Sequence, residues 1–340
     1  MPSILRKFLN APDRRKWFVF YLAHKLGVTL ETSTEDKQEA NATDTGKSEA
    51  QSEIISDKAD EDRFVALSDL VVSRGANGGS WVTHRSDTII GARLRRDGQF
   101  QEYAIDECLA LLDELGVRNS RETFVDIGAN IGTHSLHAAR LGFRRVLSLE
   151  PNPTNFMLLE ANVVLNNLGD QVRCRNVAAS SETGTLLMEL SPDNYGDHRV
   201  ALDADKAAPL HGEGEWSKTQ VIVQTLDDVL TEESISPDDL SLVWVDTQGH
   251  EGHVLAGAKK LALSDCPVVI EFWPYGLARS DGFELLKETL RSYQSIIDLS
   301  EVSAGSPKKL RLQDLDRMFA EMLSVESEHA SPHTDLLLLR

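Results

Sequence analysis

The chain has 340 residues, of which 35 are Lys or Arg and 54 are Asp or Glu, so its formal net charge is −19. This acidic balance argues against nucleic acid as the main partner, because a polyanion requires clustered basic side chains. Three cysteines without a CxxC pair predict no disulfide framework and fit a reducing, cytoplasmic location. No apolar run reaches the roughly 18 residues that cross a bilayer, so we expect a soluble protein without a transmembrane segment.

The N-terminal part of the chain differs in composition from the rest. Residues 1–30 hold six basic side chains and one acidic one around a short apolar stretch, which predicts a basic amphipathic segment. The pattern leaves three alternatives open: the segment packs on the main domain, docks on a partner protein, or docks on an anionic membrane surface. Residues 31–62 carry eleven acidic residues against three lysines and predict a disordered acidic linker.

The remaining chain has the pattern of a folded domain. Residues 63–120 predict strands at 64–72 and 88–94 and a helix at 105–115, which lead into the main domain at 121–340. There, strands and helices alternate, which predicts parallel βαβ units with helices on both faces of the sheet. The predicted strands are 123–128, 145–150, 172–179, 240–246, 268–272, 295–299 and 335–339. The predicted helices are 133–141, 154–168, 251–263 and 283–293.

The sharpest motif follows the first of these strands. The strand ends in Asp126, and the chain turns through Gly128 and Gly132 into a helix, with Asn130 where the fingerprint GxGxxG has its middle glycine. Glycines in such a turn let the backbone approach a ligand, towards which helix N–H groups point. Eighteen residues beyond Gly132 the next strand ends in Glu150, where a carboxylate accepts hydrogen bonds from a ribose diol. The motif predicts a nucleoside-bearing ligand without requiring a pyrophosphate.

Three segments together resemble S-adenosylmethionine-dependent methyltransferases of the FkbM type: FVDIGANIGTHS at 124–135, SLEPNP at 148–153 and LVWVDTQGHE at 242–251. The resemblance covers about residues 85–340. It implies an α/β, Rossmann-like class I methyltransferase fold with a mostly parallel seven-stranded sheet and helices on both faces. It also implies that residues 121–340 bind S-adenosylmethionine and transfer its methyl group to a hydroxyl of a sugar, a glycan or a secondary metabolite.

The same resemblance implies which residues bind the cofactor. These are Asp126, Gly128, Asn130 and Gly132 around its methionine end, Glu150 at the ribose, and Asn176 and Ala178 near the adenine. The chain departs from the family pattern at Trp244, where members often have Lys, and at Gln248, where they often have Glu. Roles that depend on that Lys or Glu are therefore not carried over.

O-methylation requires alignment of the acceptor, exclusion of water and a base for the hydroxyl proton. Candidate catalytic residues follow the fourth and fifth strands of the main domain, at the sheet edge where open α/β sheets bind ligands. They are Asp246, His250 and Glu271, with His198 as a further candidate. His250 suits a base because an unperturbed imidazole titrates near neutral pH. The alternative is that His250 only begins a helix and faces solvent.

A metal site is a separate question. Carboxylates such as Asp246, Glu251 and Glu271 could hold Mg²⁺, but strand-end carboxylates also serve as caps, and we predict no metal site.

Candidate acceptor-binding residues are Asn194, Arg199, Glu251 and Trp273. Arg199 could hold a carboxylate or phosphate of the substrate, and Trp273 could form a wall of the acceptor pocket or pack in the core. Two other functions stay open from the residues alone. They are an NAD- or nucleotide-sugar-dependent oxidoreductase, which the missing GxGxxG disfavours, and a catalytically silent Rossmann-like binding module.

Overall fold

The computed structural model describes residues 69–117, 121–201, 210–301, 307–327 and 329–340, which belong to one structural unit. The basic segment predicted at 1–30 and the linker predicted at 31–62 lie outside these ranges. Within these ranges, the structure contains no helix that has both the length and the apolar character needed to cross a membrane.

The described residues place eight strands in the main sheet. Their spatial order is β13 (Lys308–Leu310), β12 (Ser295–Asp298), β14 (Thr334–Leu339), β11 (Val268–Phe272), β10 (Leu240–Val245), β3 (Thr123–Ile127), β4 (Arg145–Leu149) and β5 (Val172–Arg175). The five strands from β11 to β5 pair in parallel, whereas β14 and β13 pair antiparallel to their neighbours. The predicted α/β, mostly parallel sheet is confirmed, and β13 adds an edge strand to the seven expected.

Both faces of the central strands are buried, which explains their continuous apolar sequences. Alternate residues such as Val125 and Val243 join one core cluster. On the opposite face, Phe124 packs on Phe143, with 5.3 Å between the ring centroids. The helices of the main domain are α3 (Thr133–Arg140), α4 (Pro153–Leu165), α5 (Leu226–Glu232), α6 (Glu251–Ala256), α7 (Pro274–Arg279), α8 (Gly282–Leu290) and α9 (Leu312–Ser324).

Two further parts of the structure flank the main sheet. An N-terminal hairpin of β1 (Leu70–Arg74) and β2 (Ser80–His84) precedes helices α1 (Ile90–Asp97) and α2 (Glu102–Glu114). A second sheet contains β6 (Ala178–Ala179), β7 (Gly184–Leu190), β8 (Arg199–Val200) and β9 (Ser217–Gln224), in the order β6-β9-β7-β8.

Several predicted elements are wrong in type or length. The predicted strand at 88–94 is helix α1, whose start is capped by the Asp87 carboxylate through the backbone N–H groups of Ile89 and Gly91. The single strand predicted at 172–179 is divided between β5 and β6, which belong to different sheets. The helix predicted at 251–263 ends at Ala256 and is followed by a 3₁₀ turn at Leu261–Leu263. The division of the 172–179 strand could not be anticipated from strand propensity, because it depends on pairing with distant strands.

Candidate active site

Two clefts open at the carboxyl ends of the central strands, on either side of one shared wall. The first cleft has a volume of about 50 Å³ and the second about 410 Å³. Both are lined by Gly196, Asp246 and Gln248. Gly196 belongs to residues 193–198, here named the 195 loop, and the other two residues follow β10. The two clefts therefore adjoin at these three residues.

The glycine loop at 128–132 forms one side of the first cleft. A Cβ atom at Gly128 would lie 1.7 Å from the carbonyl oxygen of Asp246, and its φ of +87° is unfavourable for other residues. Asn130 also has a positive φ, of 50°, and Gly132, with φ of +94°, precedes the first turn of α3. The loop thus lies directly against the end of β10, which explains Gly128, whereas a Cβ at Gly132 would lie 2.7 Å from Leu159 Cδ1.

Glu150 lies in the same cleft at the end of β4. Its carboxylate accepts hydrogen bonds from the backbone N–H groups of Asn130 at 2.8 Å and Asn152 at 2.7 Å. Burial raises the pKa of Glu150 to about 8, although these two N–H groups oppose the shift. Each carboxylate oxygen has a second lone pair, so Glu150 keeps the capacity to accept hydrogen bonds from a ribose diol.

The opposite part of the first cleft is apolar. Ala178 lies there together with Leu149, Val177 and Met188, which suits a flat aromatic base. Asn176 stands beside this wall and donates hydrogen bonds to the carbonyl oxygens of Glu150 at 2.8 Å and Pro151 at 3.0 Å. Its side chain therefore fixes the end of β4.

Asp126 is buried behind the glycine loop and is not among the lining residues of either cleft. Its carboxylate accepts a hydrogen bond from the Ser135 hydroxyl on α3, and that hydroxyl also contacts the Ser148 hydroxyl at 2.7 Å. Burial raises the pKa of Asp126 to about 7. Gly132 likewise lies outside both linings, so these two residues support the loop from behind.

Asp246, Gln248 and Glu271 form the centre of the site. The Gln248 side-chain amide donates to Asp246 Oδ1 at 2.7 Å and to Glu271 Oε2 at 3.1 Å. Burial raises the pKa of both carboxyls, and the nearby charge of Asp246 raises that of Glu271 further. Two buried carboxyls in this arrangement do not readily ionise together, so the pair holds one negative charge before it holds two. Glu271 lines the second cleft, and Asp246 lines both.

His250 and Glu251 occupy different surroundings although they are adjacent in sequence. His250 lines the first cleft, its Nε2 is 3.0 Å from the Ser180 hydroxyl, and burial lowers its pKa to about 3. Glu251 is fully buried and outside both linings. Its Oε1 accepts hydrogen bonds from the backbone N–H groups of Thr247 at 2.8 Å and Gly249 at 3.2 Å, so it holds the turn after β10.

His198 and Arg199 are also adjacent, and they face different clefts. His198 lines the first cleft, its Nδ1 accepts a hydrogen bond from the Ser191 backbone at 3.1 Å, and burial lowers its pKa to about 4. Arg199 lines the second cleft. Its guanidinium lies 4.8 Å from the Trp216 ring and 4.7 Å from the Trp273 ring.

Internal partners neutralise the charge of Arg199. The guanidinium is paired with Asp197, and its Nη1 is 3.8 Å from Glu213. Trp273 and Asn194 line the second cleft beside it. Arg199 therefore supports the wall formed by Trp273 rather than presenting an unbalanced charge for an anionic substrate.

Sequence reasoning missed several lining residues. Asn155 and Tyr195 line the first cleft, and Gln248 lines both clefts, although the motif analysis treated Gln248 only as a departure from the family pattern. Two signals were available in the sequence. Asn155 lies just after the segment SLEPNP, and Tyr195 lies between Asn194 and Arg199. His211, His329 and His333 of the second cleft are distant in sequence and gave no signal. Across the ranges that the structure describes, no three His, Cys, Asp or Glu side chains are grouped to hold a metal ion.

The chain is similar to known methyltransferases. The family model of the methyltransferase FkbM domain matches residues 126–297, which include the glycine loop, Glu150 and the central carboxyls. The methyltransferase sdnD of Sordaria araneosa is 27% identical over 220 residues, covering 56% of this chain and 82% of the relative. The ribosomal protein L11 methyltransferase of Heliobacterium modesticaldum is 30% identical over 122 residues, or 34% of this chain and 38% of the relative. Among solved structures, the O-methyltransferase from Bacillus cereus in complex with SAH aligns with a TM-score of 0.35 and 11% identity, over 75% of this chain and 94% of that one.

Proposed function

Because the chain belongs to the FkbM methyltransferase family, we propose that it methylates a hydroxyl group of a sugar, a glycan or a secondary metabolite. As a member of this family, the protein is an S-adenosylmethionine-dependent methyltransferase. The observation that carries the finer proposal is the position of Asp246, a carboxylate in the wall between the two clefts. The family assignment removes the oxidoreductase alternative.

The residues of the first cleft fit the cofactor. Glu150 offers free lone pairs for the ribose diol, the wall around Ala178 suits the adenine, and Gly128 gives the backbone access to the methionine end. When bound, S-adenosylmethionine supplies a methyl group that its sulfonium already activates. The protein therefore has to align the acceptor oxygen, exclude water and remove one proton.

We assign the proton transfer to Asp246. An acceptor hydroxyl in the second cleft would lose its proton to the Asp246 carboxylate as its oxygen takes the activated methyl group, whose bond to sulfur breaks and leaves S-adenosylhomocysteine. The raised pKa of Asp246 makes it a stronger base than an exposed aspartate, while the Gln248 amide fixes its orientation. His250 is less suited to this role, because its Nε2 already contacts Ser180 and its pKa is lowered to about 3.

The test is the identification of the product. The purified protein is incubated with S-adenosylmethionine that carries a deuterated methyl group and with glycan and metabolite extracts from source cells that lack this protein. We expect mass spectrometry to find a labelled methyl ether, and fragmentation to locate the label on oxygen. Asp246→Asn should lower the rate of product formation by about 10²–10⁴-fold, whereas the exposed control Asp170→Asn should leave it unchanged. Label found only on nitrogen, carbon or sulfur would contradict O-methylation, and a complete absence of labelled product would indicate a silent binding module.

A further inference from the structure

The 195 loop is held by the elements that frame the first cleft. The backbone carbonyl of Tyr195 accepts two side-chain hydrogen bonds, from Asn130 Nδ2 at 2.8 Å and from Asn155 Nδ2 at 2.9 Å. Asn130 belongs to the glycine loop, and Asn155 lies in the first turn of α4. A carbonyl oxygen has two lone pairs, so these two amides satisfy it fully.

The segment after β2 holds the same loop from another side. The Tyr195 ring lies 4.6 Å from the His84 ring, and its hydroxyl is 3.1 Å from the Ser86 hydroxyl. The backbone N–H and the hydroxyl of Thr88 both donate to the carbonyl of Asp193, at 2.8 Å and 2.9 Å. The loop therefore has a defined position between the N-terminal hairpin and the glycine loop.

Asn155 carries an unused acceptor at this position. Its side chain lines the first cleft and is 1% exposed, and its Oδ1 is buried without a hydrogen-bond partner. The orientation of the Asn155 amide is fixed by the carbonyl oxygen of Tyr195. This oxygen accepts hydrogen bonds, so Nδ2 and not Oδ1 faces it. A buried acceptor left without a partner costs about 1–3 kcal/mol, which a ligand with a suitable hydrogen would recover.

We propose that Asn155 is a cofactor-binding residue that couples the cofactor to the 195 loop. Its Oδ1 accepts a hydrogen bond from a hydroxyl or amino group of S-adenosylmethionine, while its Nδ2 holds the carbonyl of Tyr195. Since Gly196 of the same loop lines both clefts, binding in the first cleft orders a wall of the second.

The test uses S-adenosylhomocysteine as the probe, with binding measured by calorimetry and loop order measured by hydrogen exchange. In the wild-type protein, the probe should slow exchange of the Gly196 and Asp197 amides. Asn155→Leu should weaken binding about tenfold and abolish this slowing. The control Thr185→Val removes an exposed hydrogen bond between side chains of the second sheet and should behave as the wild type.

Two further variants separate the roles of the Asn155 amide. Asn155→Asp keeps acceptor oxygens but loses the N–H donor, so it should bind the probe without slowing exchange in the loop. Tyr195→Phe removes the hydroxyl and keeps the carbonyl, so exchange in the free protein should accelerate. Wild-type affinity in Asn155→Leu, or loop exchange that the probe leaves unchanged in the wild type, would overturn the proposal. None of these measurements requires an acceptor, so their failure is distinct from a failure of O-methylation.

Discussion

Asn162 on α4 and Val82 on β2 are joined through one side-chain amide and two backbone groups. Asn162 Oδ1 accepts from the Val82 N–H at 2.6 Å, and its Nδ2 donates to the carbonyls of Val82 at 3.2 Å and Ile131 at 2.9 Å. One helical turn later, Asn166 forms the same pair of bonds with Ser80, at 3.0 Å and 2.7 Å. The two amides take the place of a neighbouring strand and attach the hairpin to α4 beside the glycine loop.

We expect Asn162→Leu to lower the free energy of unfolding by about 2–4 kcal/mol, because it leaves buried backbone groups of Val82 and Ile131 without partners. Urea unfolding followed by circular dichroism measures the change. Exposed Gln220→Leu is the control and should change stability by no more than about 0.5 kcal/mol. Equal effects of the two substitutions would refute the role assigned to Asn162.

A second prediction concerns the glycine loop. Gly128→Ala should remove measurable binding of S-adenosylhomocysteine, because the new Cβ would collide with the carbonyl oxygen of Asp246 at 1.7 Å. Gly142→Ala is a matched control, since Gly142 has a similar φ of +92° but no atom within 4 Å of the position that its new Cβ would take. It carries backbone strain alone, of about 1–2 kcal/mol, and calorimetry should show unchanged binding. Retained binding in Gly128→Ala would mean that the loop relaxes away from β10.

The assignment of the base gives a third prediction. Asp246→Asn should lower kcat by about 10²–10⁴-fold while the affinity for S-adenosylhomocysteine changes little, because Glu150 and the apolar wall remain. Steady-state kinetics with the identified acceptor, together with calorimetry, separate the two effects. If His250→Gln lost turnover to this extent and Asp246→Asn did not, the base would be His250.

Stability should decrease as the pH rises above neutral. Burial raises the pKa of Asp126 and Glu251 to about 7 and that of Glu150 to about 8. These carboxyls keep their protons in the folded state where the unfolded chain has released them, so their stabilising contribution is lost as the pH passes through 7 and 8. Burial lowers the pKa of His198 to about 4, so this residue changes the free energy of unfolding in the opposite direction, and it does so only below about pH 6.5.

We therefore expect the free energy of unfolding to be about 1–3 kcal/mol lower at about pH 8.5 than at about pH 6.5. Urea unfolding at the two pH values measures the difference. Glu150→Gln cannot ionise at this position and should show a smaller decrease. A free energy of unfolding that stays constant over this range would show that these carboxyls are already ionised in the folded protein.

The sequence by itself determined the succession of the central strands and helices along the chain, and it predicted the glycine loop as the cofactor loop. Both follow from local signals, since buried parallel strands require continuous apolar runs and a tight turn requires glycine. Asp126, Gly128 and Glu150 were therefore predicted from spacing, and of these three Gly128 and Glu150 line the first cleft. The sequence also placed Asp246 at the end of a strand, but it gave no reason to prefer it over His250 as the base.

Only the tertiary structure decided which role in the site each of these residues can have. Asp246 and Glu271 come from different strands, and their shared contact with Gln248 depends on the alignment of β10 with β11. Burial, which sets the pKa of His250 and of the central carboxyls, is a property of the packed chain and has no signal in residue spacing. The contacts of Asn155 and Asn162 with residues 40 and 80 positions away arise for the same reason, because long-range packing brings them together.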